Sequence, residues 1–104
     1  MSMNMAHTVS GNIASIILKG RFDFSCHRDF RNNYEEILKN GTTIDTINVD
    51  FKEVNYLDSS ALGMLLLLRE RAAELKISVN LHHVHGAVKQ VLDVANFNRL
   101  FTVS

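Results

Sequence analysis

An aspartate and two serines, Asp58, Ser59 and Ser60, stand directly ahead of the apolar run "ALGMLLLL". A carboxylate beside hydroxyls at the start of a helix supports two kinds of chemistry. Asp58 or Ser59 can cap the helix by accepting a hydrogen bond from a free first-turn N–H, a contact worth about 0.5–2 kcal/mol. A serine hydroxyl presented at a helix N-terminus can also be a phosphoacceptor. The unpaired N–H groups and the positive end of the helix dipole tolerate an added anion there. A phosphate would bring about −1.5 to −2 charges. Asp58 alongside would then repel it, and a protein contact made at this surface could be reversed without a change of fold. The residues by themselves leave both readings open.

Other chemistries find less support. A nucleophilic serine needs a base and an oxyanion hole, and the chain has no G-x-S-x-G elbow. It has neither a G-x-x-x-x-G-K-[ST] loop nor a G-x-G-x-x-G, so no nucleotide or other cofactor is expected. The reading is of a protein that is not an enzyme. His82, His83 and His85 form "HHVH". In an alternating strand His83 and His85 share one face and His82 takes the other. A pair of histidines without a third ligand makes a poor metal site, so these are read as strand-end histidines. Cys26 falls on an apolar helical face and reads as a small core residue.

The elements that must position Asp58 to Ser60 follow from periodicity. Residues 4–9 and the Ile-rich 13–20, joined by "SGN", predict an N-terminal hairpin. "GRFDF" follows, and Ser25 reads as a helix N-cap. Cys26, Phe30, Tyr34, Ile37 and Leu38 define one face of the helix after it, with Asn40-Gly41 as its stop. Residues 43–51 read as a strand and "KEVNYL" as a connection. A second helix is expected over 60–76, a strand over 77–84, a third helix over 86–95, and an edge strand within "RLFTV". The four consecutive leucines of the second helix cannot share a side, because a helix turns about 100° per residue. Arg69, Glu70, Arg71 and Glu74 read as a solvated face.

The order β-β-α-β-α-β-α-β predicts an α/β fold, with a mixed, partly parallel sheet and helices packed on it. Its crossovers should be right-handed. In such sheets the useful positions are the loops at the carboxyl ends of strands, and "NYLDSS" is one of them. The 104 residues suit a single domain over 1–104. Lys plus Arg and Asp plus Glu are 11 each, so the formal net charge is zero, and no electrostatic case exists for nucleic acid or an anionic membrane. One cysteine and no signal-like start are consistent with the cytoplasm.

"VNYLDSSALGMLLLLRERA" resembles the STAS-domain signature of the anti-sigma factor antagonists. "LKGRFDF", with Gly20 and Asp23, is similar to the early strand and loop of that family, and "VKQVLDVANFNRLF" to its last helix and tail. The resemblance implies a partner switch. The unphosphorylated antagonist would bind an anti-sigma factor that is also a serine kinase. Phosphorylation would separate the two, and a PP2C-type phosphatase would reset the switch. Carried over by motif, the phosphoacceptor is Ser59, with Ser60 as second choice. Asp23 and Asp58 are its expected neighbours, and Leu62, Gly63 and Met64 belong to the binding face. The protein would be a monomer or weak dimer. STAS modules in other systems are the alternative: outputs of two-component pathways controlling motility or biofilm, or subunits of lipid-transport complexes. Two departures stand out. Ala61 replaces a common glycine, which is harmless if the position is helical. Asn96 replaces another, and Asn tolerates the left-handed conformation.

Overall fold

A computed structural model describes residues 4–40 and 43–104. Five strands form one sheet in the order β1-β2-β3-β4-β5: β1 Asn4–Ser10, β2 Ile13–Phe22, β3 Thr46–Leu57, β4 Ser78–His82 and β5 Thr102–Val103. Three helices connect them: α1 His27–Asn40, α2 Ser59–Glu74 and α3 Gly86–Val94. The expected element order holds. β1 and β2 pair antiparallel, and every later pair is parallel.

The core follows from period-two alternation. Ala14, Ile16 and Leu18 of β2, Ile47, Val49 and Phe51 of β3, and Val79 and Leu81 of β4 are buried. The side chains between them, such as Ser15, Asn48, Asp50 and Asn80, are half-buried. Phe30, Tyr34 and Ile37 of α1, Leu65, Leu68 and Ala72 of α2, and Val88 and Leu92 of α3 complete one cluster. Phe22 sits between Phe30 and Phe51, with ring centroids 5.1 and 6.2 Å away. Of the four leucines, Leu65 and Leu68 enter the core, while Leu66 and Leu67 stay exposed.

Several boundaries differ from the sequence expectation. "KEVNYL" is no connection, since β3 runs on to Leu57. Two register shifts explain why its pattern misleads: Ile17 pairs with Asp50 but Lys19 with Glu53, and Gly20 pairs with Val54 but Arg21 with Tyr56. Each step gives β3 one extra residue, a β-bulge. Burial therefore passes from Phe51 to Val54 and then to Leu57, a spacing of three where alternation requires two. Gly20, at φ 90°, supplies the left-handed backbone at the second shift. Ser25 is not the cap before α1. Phe24–Cys26 form a 3₁₀ turn, and Asp23 caps it by accepting the Ser25 N–H. Cys26 lies in that turn, buried, with its Sγ 3.2 Å from the Arg21 carbonyl. β4 stops at His82 because His83 takes φ 59°, which breaks the alternation that would have grouped His83 with His85. The second helix ends at Glu74, with Lys76 left-handed beyond it. The third ends at Val94, and Asn96 is left-handed at φ 59°, as an asparagine there permits. The stop at Asn40-Gly41 falls partly outside the described residues.

Arg69, Glu70, Arg71 and Glu74 are more than a solvated face. The Arg71 guanidinium donates to both carboxylate oxygens of Glu35, at 3.0 and 2.8 Å, and to Glu74 at 2.8 Å, which clasps α2 to α1. Arg69 Nε donates to the Leu100 carbonyl at 2.9 Å.

Candidate functional site

β2 and β3 are parallel, so their carboxyl ends meet, and the loops after them lie side by side. Phe22 pairs with Leu57, and the Asp58 N–H donates to the Phe22 carbonyl at 3.3 Å. Asp23 and Asp58 are the next residues out on adjacent strands. The buried Phe22 and Leu57 anchor both loops from below.

Asp58 is the N-cap of α2, with extended backbone at φ −109° and ψ −179°. Its Oδ1 accepts from the Ala61 N–H and from the Ser60 hydroxyl, each at 2.9 Å. This decides between Asp58 and Ser59 as the cap, and it separates the two serines. Ser60 is half-buried and committed to Asp58. Ser59 is the first helical residue and is exposed. Its hydroxyl bonds to none of the described residues. Ala61 is inside the helix and fully buried, so the missing glycine costs nothing.

Asp23 accepts from the Ser25 hydroxyl at 2.5 Å and from the Ser25 N–H at 3.0 Å. Arg21 lies 3.5 Å from its other oxygen. The Ser25 hydroxyl foremost, with its N–H and the Arg21 guanidinium, holds the Asp23 carboxyl below the usual carboxylate range against a smaller push upward from burial. Asp23 and Asp58 thus begin the two adjacent loops beyond β2 and β3, Asp23 capping the 3₁₀ turn and Asp58 capping α2.

The remaining expected residues spread apart. Leu62 is half-buried in a shallow apolar groove with Val91 and Val94 of α3 and its C-cap Ala95. Met64 is 5% exposed and lines a cleft towards α1 with Phe30, Tyr34 and Arg71. Two steps of about 100° separate them, so they serve opposite flanks of α2. Gly63 lies between, exposed, with open space around its Cα.

Sequence reasoning missed the aromatic rim. Phe24 is 69% exposed and stacks on His27, ring centroids 5.7 Å apart. Arg21 lies over the Tyr56 ring at 4.0 Å, a cation–π contact. Phe24 left a trace in "GRFDF" as a large apolar residue outside any period. The Arg21–Tyr56 pair was not readable, because it depends on both bulges. Midway along β3, His83 meets Asp50 at 2.9 Å and His85 reaches the Lys52 carbonyl at 3.0 Å. Among the described residues no group of three or more His, Cys, Asp or Glu could hold a metal ion.

A family model described as "Mlab, STAS domain" matches residues 5–102. The chain belongs to the STAS-domain family. A STAS-domain containing protein of Pseudomonas aeruginosa (strain UCBPP-PA14) is 38% identical over 104 residues, the full length of both chains. Among solved structures, an anti-sigma factor antagonist from Mycobacterium paratuberculosis is similar in fold, with a TM-score of 0.85 at 12% identity, over 98% of this chain and 85% of that one. The Bacillus cell fate determinant SpoIIAA in its phosphorylated form gives a TM-score of 0.72 at 16% identity, over 99% and 91% of the two chains. At these identities the structures establish the fold. This STAS domain places Asp58, Ser59 and Ser60 at the junction of β3 and α2.

Proposed function

We propose that this STAS domain is an anti-sigma factor antagonist working as a phosphorylation-controlled partner switch, with Ser59 as the phosphoacceptor. The observation that carries the reading is the division of labour at the start of α2. Asp58 caps and Ser60 bonds to the cap, while Ser59 stands exposed with an uncommitted hydroxyl. Unphosphorylated, the surface around Ser59, Asp58, Asp23 and Gly63 binds an anti-sigma factor that is also a serine kinase. A phosphate on Ser59 adds about −1.5 to −2 charges next to Asp58. The helix terminus stabilises the phosphate locally, so the fold survives while an anionic or apolar partner surface is repelled. A PP2C-type phosphatase restores the free hydroxyl. The chain carries out no turnover in this scheme and works in the cytoplasm. Among the described residues no helix is long and apolar enough to cross a membrane.

Phosphosite mapping by tandem mass spectrometry on protein from its native host tests the acceptor, with Ser59 expected and Ser60 as the competing position. Titration calorimetry against the candidate kinase tests the switch. Ser59→Ala should bind like the unphosphorylated protein, and Ser59→Asp at least about ten-fold more weakly, the effect of roughly 1.4 kcal/mol. Equal affinity of the two variants refutes the charge mechanism.

A second reading has its own support. The matching family model is described as "Mlab, STAS domain", and the name of the Pseudomonas relative specifies no partner. A STAS module in another system, a lipid-transport complex or a two-component output controlling motility or biofilm, would use the same surface. Encoded neighbours discriminate. A HATPase-type kinase and a PP2C-type phosphatase favour the switch, and transporter subunits favour the module.

A further inference from the structure

The two edges of the sheet are built differently. β5 is two residues long, and Ser104 continues its bonding through N–H to the Leu81 carbonyl and C=O from the Val84 N–H. β1 is seven residues long, Asn4–Ser10, and pairs without interruption from Asn4–Lys19 to Ser10–Ile13. Alternate residues of an edge strand direct their N–H and C=O groups outward. No described residue bonds to the outer side of β1. Natural edges are guarded by charge, proline, bulges or shortness. β1, "NMAHTVS", has no charged residue and no proline, and the bulges of this sheet lie on β3.

We propose that the outer edge of β1 is a self-association surface, where a second copy of this chain adds its own β1 antiparallel across a two-fold axis. An antiparallel strand is its own complement under that symmetry. Met5 and His7 turn to the helix side, where His7 is bonded to Asn33 of α1, and Ala6 and Thr8 turn to the other face. From Met5 to Thr8 the outward backbone groups therefore lie between small or already partnered side chains, and Val9 beyond them adds an exposed apolar side chain. Net charge is zero, so no overall repulsion opposes two copies meeting. A ladder of one short strand buries less than the roughly 1,000 Å² of a stable interface, so the dimer is weak and concentration-dependent. It leaves the Ser59 surface free, since that surface lies on the carboxyl ends of β2 and β3.

Thr8 and Thr102 give a matched test. They are the two ends of one row across the sheet, Thr8–Ser15–Asn48–Asn80–Thr102, and both are exposed. Sedimentation velocity on the full chain, from about 10 µM to about 1 mM, should show a rising dimer fraction for the wild type and for Thr102→Lys. Thr8→Lys should remain monomeric, with unchanged circular dichroism. Independently, amide hydrogen exchange in the wild type should slow in β1 as concentration rises and stay constant in β5. A wild type monomeric at the highest concentration overturns the proposal. So does a dimer that Thr8→Lys leaves intact, one lost equally in Thr102→Lys, or β1 exchange indifferent to concentration.

Discussion

At the residue scale the site rests on three side chains with distinct tasks. Asp58→Ala removes the cap of α2 and leaves Ser60 without its acceptor. The expected loss is about 0.5–2 kcal/mol, read from urea denaturation. Ser59→Ala should be neutral to within about 0.5 kcal/mol, as for a surface position away from structural features. Equal destabilisation by the two variants would mean that Ser59 shares the capping role. Gly63 gives a sharper contrast. It sits inside α2 with open space around its Cα, so Gly63→Ala should stabilise the fold by up to about 1 kcal/mol. If Gly63 lies under the partner, the same variant binds less well despite folding better, and combined denaturation and titration data would show both. The cap and the serines were readable from their order before an apolar run. The division of labour among them was not, because a cap is chosen by backbone angles at one residue, and Asp58 and Ser59 both suit the post.

At the element scale the clasp between α1 and α2 is a two-pronged, partly exposed polar contact. Arg71 is engaged by Glu35 and Glu74 together. Both partners are over a third exposed, so water screens much of the attraction. Glu35→Gln should lower the melting temperature by only about 2–4 °C, as measured by calorimetry. A larger fall would mean that the adjoining cleft of Phe30, Tyr34 and Met64 opens with it. Sequence period located the helices because their apolar stripes are long, as with Phe30, Tyr34, Ile37 and Leu38 of α1. It missed the second half of β3 because two bulges turn alternation into triplets, which read as irregular chain. It missed the end of β4 because nothing in "HHVH" announces a left-handed His83.

At the scale of the whole molecule, charge neutrality and a few tethered carboxylates set the response to acid. The Arg71 guanidinium holds Glu35 below the ordinary glutamate value of 4.5 against a smaller push upward from burial. Burial pushes Asp50 up, but the Lys52 N–H and the His83 ring outweigh it and hold it below 3.8. Groups lowered by folding stabilise above their unfolded values, and that stability is lost as pH falls through the folded ones. Melting temperature should therefore drop below about pH 4.5, with a shallower drop in Glu35→Gln. The bulges of β3 carry a consequence for the whole frame. β3 spends 12 residues where β2 spends 10, and each surplus residue is taken up at its own bulge, where two residues of β3 stand opposite one of β2. Val54 therefore still meets Gly20, and Leu57 still meets Phe22, both facing the core. Deleting the surplus residue at one bulge would straighten the strand there and leave the serine loop the same way up, on a shorter stem.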